Sequence, residues 1–164
     1  MQDFIWTEFT ESVVIHAPVQ AVYDAWSNAA AIERWFLSDA TNTDSEGKPL
    51  DAHEAVRPGC LYTWHWYLYD GEEKNAWQAA NGKDHLRFLF AGACPVDIRL
   101  EAWEDQTILR LTQSDIPTDD NSKRSIRLGC QKGWAFFLVN LKSVLEGGVD
   151  LRNKDERLQP MLNN

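Results

Sequence analysis

The side chains able to do chemistry in this 164-residue chain are few and widely spaced. Its four histidines, His16, His53, His65 and His85, form no H-x-x-x-H or H-E-x-x-H pair, so no zinc-binding spacing is present. The three cysteines, Cys60, Cys94 and Cys130, stand far apart with no C-x-x-C, and read as reduced, half-buried thiols acting as small hydrophobes. No G-x-S-x-G, no Cys–His arrangement and no glycine-rich phosphate loop occurs. Asp24, Glu33, Asp97 and Glu101 read as carboxylates on solvated faces. The expectation is a chain with no catalytic residue, no metal and no cofactor.

What the chain has in excess is rings. Eight tryptophans occur, and the run Leu61-Tyr62-Thr63-Trp64-His65-Trp66-Tyr67-Leu68-Tyr69 is the densest aromatic stretch. Indole carries a large apolar area, so such an excess implies either a core thick with rings or a concavity lined with them. The two readings differ in function: the second binds something apolar, and the first need bind nothing.

The elements that must position these rings follow from periodicity. Residues 4–16 read as a first strand, and Ala17-Pro18 ends it and starts a helix, since proline at a first helical position sacrifices no hydrogen bond. Val19, Val22, Tyr23 and Trp26 then give an apolar stripe. Asn28 is placed to cap a second short helix whose inward face is Ile32, Trp35 and Phe36. Residues 41–58 lack periodicity and read as a long loop, a natural lid.

From Cys60 the period becomes two. Strands are expected at 60–69, 72–80, 85–91, 95–103 and 107–115, with turns at Asp70-Gly71, Asn81-Gly82-Lys83-Asp84, Ala93-Cys94-Pro95 and Glu104-Asp105-Gln106. Such short connections demand an antiparallel meander. Alternation sends Leu86, Phe88, Phe90, Val96, Ile98, Leu100, Leu109 and Leu111 to one face and Arg87, Asp97, Arg99 and Glu101 to the other. A long helix from about 122 to 146 covers the apolar face through Ile126, Cys130, Trp134, Phe137, Leu141 and Leu145, and Gly147-Gly148 stops it. Gly129 and Gly133 inside it each cost about 1 kcal/mol against alanine and imply close approach to another element. The tail from Val149 reads as charged and loosely attached.

Composition excludes several roles. A formal charge of −9, with no basic cluster, opposes binding to nucleic acid or to an anionic membrane surface. No apolar stretch reaches transmembrane length and no leader is recognisable at the first residues, so a cytoplasmic location is expected.

The order of strand, two short helices, long meander and final helix resembles the helix-grip fold of the START-like (SRPBCC) superfamily. The resemblance is carried by Ala17-Pro18-Val19 through Val22-Tyr23-Asp24-Ala25-Trp26, by Ile32-Glu33-Arg34-Trp35-Phe36, by Arg57-Pro58-Gly59, and by Gly133-Trp134 with Leu141 through Leu145-Glu146-Gly147. These stretches are most similar to the branch named for activators of the heat shock protein 90 ATPase. The resemblance implies an α+β fold with a curved antiparallel sheet of six or seven strands wrapped around the final helix, in one domain over 1–152 with a tail over 153–164. It also implies a cavity between sheet and helix, as in family members that carry hydrophobes, cyclise polyketides or respond to stress.

In such a fold Trp35 and Phe36 stand at the pocket mouth and Tyr62, Trp64 and Trp66 along one wall. Phe88, Phe90, Ile98 and Leu109 form the floor, with Trp134, Phe137 and Leu141 above. Gln113 shares the parity of Leu109 and Leu111, so its amide faces inward, to hydrogen-bond a ligand or cap a strand end. The partner expected is a small hydrophobic molecule. A co-chaperone module and a cyclase-like enzyme are the alternatives, and the second requires an ionisable pocket group with a displaced pKa.

Overall fold

A computed structural model describes residues 3–164. Strand β1 (Phe9–Ile15) is followed by two short helices, α1 (Val19–Ser27) and α2 (Ala29–Glu33), and an edge strand β2 (Asp39–Thr43). The meander comprises β3 (Leu61–Trp66), β4 (Tyr69–Ala80), β5 (His85–Phe90), β6 (Cys94–Trp103) and β7 (Gln106–Gln113). A helical turn α3 (Asp120–Ser122), a π-helical segment (Lys123–Leu128) and α4 (Gly129–Leu145) close the fold. The strands form one antiparallel sheet in the order β1-β7-β6-β5-β4-β3-β2, so the first strand and the edge strand lie at opposite ends. This is the helix-grip α+β architecture.

The local signals act as expected at most junctions. Asn28 accepts from the Ala31 amide at 2.9 Å, capping α2, and Asp119 does the same for Ser122 at 3.0 Å. Gly147, at φ 76°, ends the final helix in the left-handed region. Trp26 lies at the centre of the core, fully buried, with ring centroids of Trp35 at 4.6 Å and Trp134 at 6.0 Å.

Four expectations need correction. The first strand begins at Phe9, because residues 3–8 turn away: the Ile116 amide donates to Thr7 at 3.0 Å, and the Arg127 guanidinium lies over the Phe4 ring. The turn into β4 falls at Tyr67-Leu68, not Asp70-Gly71, and Leu68 takes the positive φ of 60°. Gly71 serves another purpose, since a Cβ there would lie 2.4 Å from Tyr69 Cε1. The β5–β6 turn is Ala91-Gly92-Ala93, with Ala91 and Gly92 both at positive φ, so Cys94 and Pro95 already belong to β6.

The fourth concerns the loop. Part of 41–58 is strand β2, and the remainder is tied to the helices: Val56 N donates to Ser27 O at 2.7 Å, and Ala30 N to Ala52 O at 2.9 Å. With Val56 buried, the segment belongs to the packed body and is not a free lid.

The tail is likewise held. Arg152, its side chain only 4% exposed, donates to the Leu37 and Glu33 carbonyls at 2.9 and 3.0 Å and to Asp150. Buried Asn140 donates to Trp35 O at 2.7 Å and accepts from Leu151 N at 2.7 Å. Burial raises the Asp150 pKa, but hydrogen bonds from Arg152, Lys154 and Asn140 outweigh it and hold the carboxyl well below the usual carboxylate range.

Candidate functional site

The inner face of the sheet does not fill evenly. Around Trp26, Trp35, Trp64, Trp77 and Phe88 the rings interlock edge to face, and each of these side chains is at most 2% exposed. Toward the β3–β4 turn the filling stops. A cavity of about 510 Å³ opens there between the ends of β3, β4 and β5 and the first turns of α4.

Of the side chains expected to line a pocket, Phe36, Trp66, Phe90, Trp134 and Phe137 do so. They form a continuous wall, with Phe36 5.6 Å from Trp66, 5.0 Å from Trp134 and 4.8 Å from Phe137, and Phe90 5.3 Å from Trp134. Tyr62, Trp64, Phe88, Ile98, Leu109 and Leu141 lie behind this wall as buried core, outside the lining. Trp35 is not at the mouth: its indole donates to Ala25 O at 2.9 Å and packs on Trp26. Tyr62 stacks on Trp64 at 3.8 Å, and its hydroxyl donates to Leu89 O, so burial leaves it a protonated phenol.

Gln113 faces inward and is fully buried, yet it does not reach the cavity. Its Oε1 accepts from Trp134 Nε1 at 3.1 Å, and this bond sets the plane of the indole that walls the pocket. Among the described residues its Nε2 has no hydrogen-bond partner.

The floor of the helix side is bare by composition. Gly129 and Gly133 line the cavity, one turn apart on the same face of α4. A Cβ at Gly133 would meet nothing within 4 Å, and one at Gly129 only the Arg124 carbonyl oxygen at 3.4 Å. Their reason is therefore not close approach to another element but the empty space in front of them. Just upstream, the π-helical segment widens the helix, and Ser125 in that segment joins Cys130 in the lining. Such segments cluster at functional sites because the extra residue per turn re-aims side chains.

Sequence reasoning missed Glu73. Register pairs it with Trp64, which puts it on the inward face of β4, and it lines the cavity. Its Oε1 accepts from Ala91 N at 3.1 Å and Asn75 Nδ2 at 3.4 Å. Burial pushes its pKa up, only partly offset by these bonds. Its parity with Trp77 was the available signal, obscured by setting the turn at Asp70-Gly71. Glu72 also touches the rim, on the other face, where it pairs with Lys74 at 2.6 Å and lies 3.3 Å from His65 Nε2. The Cys130 thiol is pushed up to about 11 by burial, so at neutral pH it stays protonated and a poor nucleophile.

Among the described residues no group of three or more His, Cys, Asp or Glu is arranged to hold a metal ion, and no helix is long and apolar enough to cross a membrane. His85, Asp97 and Arg87 form a linked cluster, at 2.8 and 2.9 Å, on the outer face of the sheet, away from the cavity. Asp97 is thus more enclosed than a solvated carboxylate.

Solved structures agree on the fold. The chain is similar to the protein SSP2350 from Staphylococcus saprophyticus (21% identity, TM-score 0.68, covering 88% of this chain and 96% of that one). It is similar also to the Aha1 dimer from Colwellia psychrerythraea (21%, TM-score 0.66, 86% and 97%) and to CalU16 from Micromonospora echinospora (19%, TM-score 0.63, 88% and 77%). A search of curated proteins finds no match. The sequence pattern of the family described as "Activator of Hsp90 ATPase homolog 1-like protein" matches residues 16–146, which run from the end of β1 to the end of α4 and enclose nearly all of the cavity wall. The chain belongs to that family.

Proposed function

We propose that this protein binds a small hydrophobic molecule in the cavity between the β3–β4 turn and the start of α4, as a cytoplasmic carrier or sensor that breaks no bond of its ligand. The supporting observation is the ring-walled cavity itself. Its volume, about 510 Å³, falls in the range of small-molecule sites, and its few polar groups stand among rings as such sites require. Two glycines keep it open, at a cost of about 1 kcal/mol each in helix propensity. Three free cysteines accord with a reducing compartment.

Native mass spectrometry of the purified protein, with tryptophan fluorescence during titration by naphthyl and dodecyl probes, tests this. Binding at micromolar levels with a change in Trp66 and Trp134 emission is expected. No co-purifying mass and no binding of any probe would refute it. Stimulation of the heat shock protein 90 ATPase, expected to be absent, separates this reading from a co-chaperone role.

One observation favours a second reading. Glu73 is an ionisable group inside the cavity with its pKa raised by burial, as acid–base catalysis needs. If the cavity houses a cyclase- or hydrolase-like reaction, Glu73→Gln abolishes turnover of a bound substrate while leaving its affinity intact.

A further inference from the structure

We propose that the cavity selects a hydrophobic organic cation, its apolar body against the ring wall and its ammonium group beside Glu73; this rests on the ligand-binding reading above. No lysine, arginine or histidine lines the cavity, whereas two carboxylates do. Glu72 is already paired with Lys74 at 2.6 Å. Glu73 is not: its hydrogen bonds come from the backbone amides of Ala91 and Gly92 and the neutral side-chain amide of Asn75, and no cation among the described residues approaches it. A half-buried carboxylate without a counter-ion is a costly arrangement that a bound cation relieves.

The rings act in the same direction. Trp66, Trp134, Phe36 and Phe90 present π-faces, whose negative quadrupole attracts an ammonium group and repels an anion. Aromatic cages recognise quaternary ammonium groups in this way. A fatty acid or phosphate headgroup would find no cationic side chain in the lining, only neutral donors such as Ser125 and Asn164, and would meet Glu73 as a like charge. The net charge of −9 extends this preference to the approach, enriching cations near the mouth.

Calorimetric titration with three probes of one ring system tests the inference: 1-naphthylmethylamine, 1-naphthylmethanol and 1-naphthoate. The amine is expected to bind about tenfold tighter than the alcohol, and the carboxylate weakest of all. Glu73→Gln, which keeps an acceptor for Ala91, should abolish the preference for amine over alcohol while leaving the affinity for the alcohol within about twofold. Glu72→Gln should retain it. Equal binding of all three probes by the unaltered protein overturns the cation inference and leaves the cavity reading standing. Loss of preference in Glu72→Gln rather than Glu73→Gln overturns the assignment to Glu73. No binding by any probe overturns the cavity reading as well.

Discussion

Gly133 is where the cavity can be tested without touching any hydrogen bond or ring. It sits in the interior of α4 with helical dihedrals, and a Cβ there would meet nothing within 4 Å. Gly133→Ala therefore adds a methyl group to empty space and removes the helix penalty of glycine, about 0.8–1 kcal/mol. The gain translates into a rise in Tm of about 2–4 °C for a domain of this size. Gly133→Leu gains the same propensity, and its branched side chain enters the cavity against Trp134 and Phe137, burying apolar surface worth about 1.5–3 kcal/mol when fully covered. It should be more stable than the alanine variant and bind naphthyl probes at least about tenfold more weakly. Thermal unfolding by circular dichroism and probe titration by calorimetry read the two effects separately. A loss of stability in Gly133→Ala would refute the reasoning, because it would mean that the helix does approach another element there. Unchanged probe binding by Gly133→Leu would place the ligand elsewhere.

Three further outcomes follow from named contacts. Glu73 has a folded pKa above its unfolded value, so the folded state holds its proton longer and stability falls as pH rises from the ordinary glutamate range through the raised pKa. Glu73→Gln should flatten that fall in urea unfolding followed against pH; a variant with an unchanged profile would show that Glu73 is solvated. Arg152→Ala removes donors to Leu37 O, Glu33 O and Asp150 from a buried position and should cost about 2–3 kcal/mol, with faster hydrogen exchange at Leu151 and Asn153; a change under about 0.5 kcal/mol would mean that the tail is not anchored. Trp134→Phe leaves the buried Gln113 Oε1 without its indole donor and should cost about 3 kcal/mol or more; adding Gln113→Leu should recover at least about 1 kcal/mol in the double variant, and no recovery would contradict the pairing.

The reach of sequence reasoning can be followed residue by residue. The meander was legible because alternation in segments such as Leu86-Arg87-Phe88 and Val96-Asp97-Ile98 is a local consequence of pleating, and their burial follows the same parity. Asn28 was legible as a cap for the same reason, since a cap acts within three residues. Asp70-Gly71 misled because that dipeptide fits a turn in isolation. In the sheet the register shifts between His65 and Trp66 and the turn falls at Tyr67-Leu68, with Leu68 at a positive φ of 60°. That three-residue displacement hid Glu73, whose inward direction is set by its pairing with Trp64.

The order of elements, the polarity of each sheet face, the covering helix and the excess of rings were all readable in the chain, because each arises from periodicity or composition within a few residues. Family membership was readable there too, since the strand–helix junctions that carry it are short contiguous stretches. Only the tertiary structure decided which rings fill and which enclose. Trp35 and Trp64 are packed solid, while Trp66 and Trp134 face open volume. That difference turns on the absence of side chains at Gly129 and Gly133, the widened π-helical turn before them, and a carboxylate brought opposite by strand register. Empty space has no signature in any one residue; it is defined by what several distant segments fail to occupy.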